Sequence, residues 1–242
     1  MALNLTSNRV LRKIAHFLLV AGPGLIVLEA DNEFGAVSSY TQAGAQYGLH
    51  GLLWLLLILL PITYICQEMT VRLGICTGQG HAAMIYRRFG RWWGNLSMVD
   101  LLLVNFLTLI TEFAGISLVM SQLGISSYWS VPLVAIALIV LVLTTRYTVW
   151  ERSMIALCLL DSVWFIIAFL HRNCASMPII PGIHVNGTFL FMLIAVVGTT
   201  VAPWQIFFQQ SCVADKKLRF ADMKMEQIDT LLSAVFTIII AG

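Results

Sequence analysis

The sequence predicts an all-α protein that crosses a membrane several times, with its first and sixth apolar segments each broken near the middle of the bilayer. Three observations carry that expectation. The 242 residues are 59% apolar and only 11% charged, with a mean hydropathy of +0.87, whereas a soluble domain carries about 25% charged residues. Apolar stretches near the roughly 20 residues needed to cross the hydrocarbon core recur along the chain. Thirteen of the fourteen basic residues fall in alternate connections between those stretches.

Taken in order, the apolar segments are 14–46 (broken), 51–73, 95–123, 129–145, 153–170, 187–214 (broken) and 228–242. Residues 80–89 read as a short amphipathic helix lying at the surface. Arg9, Arg12 and Lys13 precede the first segment, and Arg72, Arg87, Arg88 and Arg91 separate the second from the third. Arg146 and Arg152 separate the fourth from the fifth. Lys216, Lys217, Arg219 and Lys224 separate the sixth from the seventh, and Arg172 alone lies on the other side. The positive-inside rule then places the N-terminus in the cytoplasm, and the expected location is multi-pass in the plasma (inner) membrane of a bacterium. The basic N-terminus is not read as a signal peptide, because the run behind it contains Gly22-Pro23-Gly24 and leads into polar residues. The last segment stays apolar to its final residue, so the sequence is expected to be truncated. A sequon, Asn186-Gly187-Thr188, falls on the outer side.

Several residue types carry ordinary structural readings. The five cysteines, Cys66, Cys76, Cys158, Cys174 and Cys212, form no C-x-x-C pair and read as small buried hydrophobes. Trp92, Trp93, Trp129 and Trp150 sit at segment ends as interface anchors. Glu68 and Arg72, one turn apart, read as a local ion pair. Asp100 and Asp161 read as pairing or cavity residues, and His81, His171 and His184 as loop residues without a ligand role. No basic patch suits a nucleic acid.

The two broken segments carry the functional signal. In the first, Glu29, Asp31 and Glu33 sit mid-segment with Asn32 between the last two. Each carboxylate at that depth costs roughly 2.5–3.5 kcal/mol on insertion scales. Three together call for a cation, a proton or water. Gly22, Pro23, Gly24 and Gly35 weaken the helix. In the sixth, Gly198 to Gln205 reads GTTVAPWQ. Pro203 removes a backbone donor and opens the preceding turn, which frees carbonyls near Thr199 and Val201. Unwound backbone at membrane depth is tolerated only beside a cavity or buried protein. Two interrupted segments five apart point to an inverted-repeat transporter of the LeuT type with a midplane site. The expected domain is a single transmembrane unit, 1–242, with a first five-helix repeat over about 14–170 and the start of a second over about 187–242. The ligand inventory is hard oxygen, which suits magnesium, calcium or manganese over copper or zinc. On the third segment Asn105, Thr108 and Glu112 fall at i, i+3 and i+7 and read as one face, a candidate pathway or a set of interhelical hydrogen bonds.

At these residues the chain resembles the NRAMP family of divalent metal ion transporters. The resemblance rests on GPGLIVLEADNE, SSYTQAGAQYGL, QEMTVRLGICTG, TEFAGISL and VVGTTVAPWQ, in that order. It covers the whole chain but only the N-terminal portion of a family member. It implies Asp31 as the carried-over metal ligand, Thr199 as a carbonyl donor and Ala202 as a pocket residue, with Asn32, Glu33 and Gln205 as further candidates. The family pattern reads Asp-Pro-Gly-Asn in the first helix and Met-Pro-His in the sixth. Here the same places read Asp31-Asn32-Glu33-Phe34 and Ala202-Pro203-Trp204. Ala202 removes the soft thioether that disfavours magnesium and calcium. Trp204 removes the histidine tied to proton coupling, and the third helix keeps Glu112 but has Asn105 and Gly115 where acids would stand. These departures resemble the NRAMP-related magnesium transporter branch.

The resemblance therefore implies uptake of a divalent cation, magnesium or manganese, by alternating access. The alternatives are a proton-coupled manganese or iron symporter, a non-transporting truncated fragment or membrane scaffold, and an amino-acid carrier, which the acids oppose. No covalent chemistry and no resident cofactor are expected. The expected partners are the cation, the lipid bilayer and the missing C-terminal half.

Overall fold

The computed structural model describes residues 23–144, 149, 160, 162–171 and 186–242. Every regular element among them is helical. The helices are α1 (Pro23–Asp31), α2 (Phe34–Thr77), α3 (His81–Gln122), α4 (Ser127–Thr144), α5 (Ser162–His171), α6 (Gly187–Thr200), α7 (Pro203–Asp215) and α8 (Met223–Ala241), with a 3-10 turn at Phe220–Asp222.

The first predicted break is present. α1 stops at Asp31, Asn32 forms a turn, and Glu33 is extended (φ −60°, ψ 159°) before α2 begins. The second lies at Val201 and Ala202, between α6 and α7. Ala202 is extended (φ −92°, ψ 143°), and Pro203 opens α7 at a position where a missing N–H costs nothing.

Two long helices are each two helices joined at a glycine. α2 turns at Gly48 (φ 68°, ψ 173°) and α3 at Gly90 (φ 85°, ψ 177°). Both glycines occupy backbone conformations that a Cβ would strain. Two boundaries read from the sequence need correcting here. The surface helix over 80–89 runs straight into the third apolar segment through Gly90, with no loop over 90–94. The seventh helix starts at Met223, not 228, because the turn at Phe220–Asp222 launches it early and it carries Lys224 and Glu226 on its first turn. Lys13, Trp150 and Arg172 lie outside the described residues, as do Cys158, Cys174, Asp161 and His184.

The core lies where the two halves of α2 meet α6 and α8: Ala43, Leu55, Leu56, Leu59, Phe189, Met192, Val196 and Ile238. α3 and α4 pack on each other and leave apolar faces outward, with Leu102, Phe106, Ile110, Leu133 and Ile139 about half exposed or more. Such faces match lipid, which is as apolar as leucine. Leu53–Thr77, His81–Gln122 and Gly187–Asp215 are long and apolar enough to cross a membrane.

Candidate functional site

The two breaks meet. Asp31, the last residue of α1, is 2% exposed. Its Oδ1 accepts a hydrogen bond from Gln205 Nε2, one turn into α7. The same amide donates to Thr200 O at 3.3 Å, on the last turn of α6. One side chain therefore links the end of α1 to both lips of the second break. Tyr40 OH and Thr200 Oγ1, 2.9 Å apart, add a second tie between α2 and α6. Asp31 Oδ2 is buried with no hydrogen-bond partner. A buried carboxylate oxygen left unpaired is costly, and it is the free valence of this site.

Glu33 and Phe34 turn toward α3. Phe34 N, one of the orphan donors at the start of α2, bonds Glu112 Oε1 at 2.8 Å. Glu112 thus caps a helix from a neighbouring helix, and a carboxylate there also suits the positive end of the dipole. Glu33 lines a cleft of about 460 Å³ with Ser38, Ser39, Thr108, Thr111 and Thr199. Asn32 lines a separate cleft of about 250 Å³, beside Tyr40, Thr41 and Gly242. Thr199 Oγ1 bonds back to Ala195 O and Val196 O, both at 3.1 Å. Ala202 is buried at the start of α7.

The structure brings Asp31, Gln205 and the second break together and places Glu33 and Thr199 in the adjoining cleft, with Glu112 outside its lining and bonded to Phe34 N. It sets Asn105 apart. At about 100° per residue, Asn105 projects some 60° round the helix from Thr108, while the cleft face centres beyond Thr108, near Val104 and Thr111. Asn105 is exposed and lines no part of the cleft. Asp100 is likewise exposed, not lodged in a cavity. His81 is not a loop residue: it opens α3, and its Nδ1 lies 2.7 Å from Gln210 Oε1. Asn186 caps α6 by accepting from Phe189 N at 2.8 Å. Arg72 pairs with Glu68 as the spacing predicts, and Gln227 from α8 bonds the same carboxylate. The side chain of Glu29 lies outside the described residues.

Sequence reasoning missed the buried polar residues of α7 and α8. Gln209 is fully buried, bonding Thr230 Oγ1 at 3.0 Å. Asp229, 1% exposed, accepts from Gly24 N at 2.9 Å. Glu226 is fully buried with both carboxylate oxygens unpaired. The signal was available: Glu226, Asp229 or Thr230, Ser233 and Thr237 repeat at helical spacing on one face of an apolar helix.

Among the described residues no three of the His, Cys, Asp and Glu side chains gather into a metal-holding group. A cation at Asp31 would complete its shell with neutral oxygens and water, a pattern that suits hard divalent ions.

Residues 24–242 match the family model described as natural resistance-associated macrophage protein-like. The divalent metal cation transporter MntH of Staphylococcus aureus strain JH9 is 27% identical over 214 residues, which cover 83% of this chain and 46% of the relative. MntH of strain USA300 matches at the same 27% identity and the same coverage. Among solved structures, the Eremococcus coleocola manganese transporter, crystallised with an aromatic bis-isothiourea substituted compound, superposes with a TM-score of 0.77 at 19% identity, over 98% of this chain and 52% of that one. The chain spans about half the length of the relatives it matches.

Proposed function

The chain belongs to the natural resistance-associated macrophage protein-like family, and from that premise we propose that it forms the substrate-binding part of a transporter carrying divalent metal cations, magnesium or manganese, across a membrane by alternating access. The observation that carries this reading is Asp31: buried, at the meeting point of two interrupted helices, with one oxygen held by Gln205 and the other unpaired. A doubly charged cation is the ligand that best offsets such an oxygen at membrane depth. The cleft lined by Glu33, Ser38, Thr108, Thr111 and Thr199 supplies further oxygens beside it. Membrane potential would assist uptake, since two charges crossing the full field gain roughly 4.6 kcal/mol per 100 mV.

Between the two cargoes the residue at 202 matters most. Ala202 offers no thioether, and a site without a soft ligand admits magnesium alongside manganese. The second reading is proton-coupled manganese or iron symport; the solved neighbour described as a manganese transporter favours manganese as the cargo. Trp204 and Gly115 count against coupling of that kind. In liposomes loaded with the full-length protein, Asp31→Ala abolishes uptake of both magnesium and manganese. Transport unchanged by that substitution refutes the site. Cation accumulation driven by an imposed inward proton gradient would select the symport reading.

A further inference from the structure

The kink at Gly90 presents an uncompensated basic cluster. From Met69 to Val99 the chain has no Asp or Glu and four arginines. Arg72 is occupied by Glu68. Arg87, Arg88 and Arg91 are exposed and make no ion pair or hydrogen bond among the described residues. They flank Gly90, where α3 changes from the surface helix to the membrane helix. Phe89, Trp92 and Trp93 are 64%, 77% and 57% exposed beside them. Arginine next to exposed tryptophan is the composition of a membrane–water boundary, and guanidinium binds phosphate through two parallel hydrogen bonds.

The elbow is also fixed and wired. Tyr86, before the kink, donates from its hydroxyl to Asn95 Oδ1 at 2.8 Å, and its ring lies over Gly94, where there is no room for a Cβ. At the start of the same helix, His81 meets Gln210, whose Nε2 donates to Gln79 O at 2.9 Å and reaches Met84 Sδ at 3.0 Å. The His81 ring also packs edge-on against Phe207, with centroids 4.8 Å apart. Gln210 and Phe207 belong to α7, the helix whose Gln205 holds Asp31.

We propose that Arg87, Arg88 and Arg91 dock anionic phospholipid headgroups of the bilayer, and that their occupancy steadies α7 through His81 and Gln210. The binding half stands independently of the transport reading. Each arginine near an anionic surface contributes about a five-fold gain in affinity, so the three together give on the order of 100-fold.

Native mass spectrometry of the full-length protein, loaded with a mixture of phosphatidylglycerol and phosphatidylcholine, tests the binding half. The wild type retains phosphatidylglycerol preferentially. Arg87→Gln/Arg88→Gln/Arg91→Gln loses that preference, while the charge-matched Lys217→Gln/Arg219→Gln/Lys224→Gln keeps it. Equal preference in wild type and the arginine variant, or equal loss in both variants, overturns the site. Hydrogen exchange of residues 203–215 tests the coupling. Phosphatidylglycerol slows exchange in wild type, and His81→Ala or Gln210→Ala removes the slowing while leaving lipid retention intact. Slowing that survives in both variants overturns the coupling. Neither readout needs transport, so lipid docking and its coupling to α7 stand or fall separately from the proposed uptake.

Discussion

At the scale of the residue, Gln205 does two jobs with one amide. It holds Asp31 Oδ1 and Thr200 O, so it fixes both the carboxylate and the second break. Gln205→Leu keeps the volume and removes the donor, leaving a buried carboxylate with neither oxygen paired. Losing a hydrogen bond to a charged group costs about 1.5–3 kcal/mol, so the variant is expected to melt several degrees lower and to take up cations weakly. A variant that melts and transports like the wild type would show that Asp31 is held by something other than this amide. Ala202 offers the converse test. Ala202→Met adds a soft ligand and is expected to shift competition uptake toward manganese over magnesium by about ten-fold, or 1.4 kcal/mol. Asp31 was legible because an acid at mid-segment has few structural excuses. Gln205 was legible because Pro203 dates the break to the residues before it. Glu226 and Asp229 were missed although their helical spacing is present, because starting the seventh segment at 228 left Glu226 in the connection and cut the shared face at its first acid.

At the scale of the element, Phe34 and Gly115 explain each other. A Cβ on Gly115 would fall 2.5 Å from the Phe34 ring, so the helix that carries Glu112 can approach α2 only because residue 115 has no side chain. The sequence showed Gly115 as a missing acid. The contact shows it as space filled by Phe34, itself a departure from the family pattern one turn from Asp31. Gly115→Ala is expected to destabilise by about 1–3 kcal/mol through overpacking, read as a shift in denaturation midpoint. In Phe34→Ala/Gly115→Ala most of that loss from the glycine substitution should vanish, since contacting residues couple. Additive effects in the double mutant would mean that the ring can swing clear. Helix existence was legible throughout the described residues, because long apolar runs leave few alternatives. The kinks at Gly48 and Gly90 were not, since a glycine between two segments reads as part of a connecting loop and not as a bend inside one continuous helix. The face of α3 was half legible: spacing grouped Asn105 with Thr108 and Glu112, but only the rotation imposed by packing Gly115 on Phe34 decides which of them meets the cleft.

At the scale of the molecule, α1 is docked on the elements that follow the second break. Its main neighbours among the described residues are α8 and α7, not the α2 that succeeds it in sequence. Ile26 and Val27 are buried there, 3% and 0% exposed, and Gly24 N bonds Asp229 Oδ2. The first interrupted segment therefore belongs in part to each half: α1 sits with α7 and α8, and the opening turn of α2 sits with α3 through Phe34 and Glu112. Asp31 lies at the joint between these two sets of contacts. Asp229 bonds α1 to α8 through its side chain, at an end of α1 whose backbone donors favour an acceptor. Asp229→Ala leaves the Gly24 N–H without that acceptor, while the burial of Ile26 and Val27 and the Gln205–Asp31 hydrogen bond remain to hold the helix. Hydrogen exchange across 23–31 is expected to quicken by one to two orders of magnitude, about 1–3 kcal/mol of lost protection. Exchange in α3 and α4, whose main neighbours are each other, α2 and α7, should stay unchanged. If protection of α1 survives the substitution intact, apolar packing and the Gln205–Asp31 hydrogen bond suffice to hold it, and Asp229 serves a role other than docking the helix that ends at Asp31.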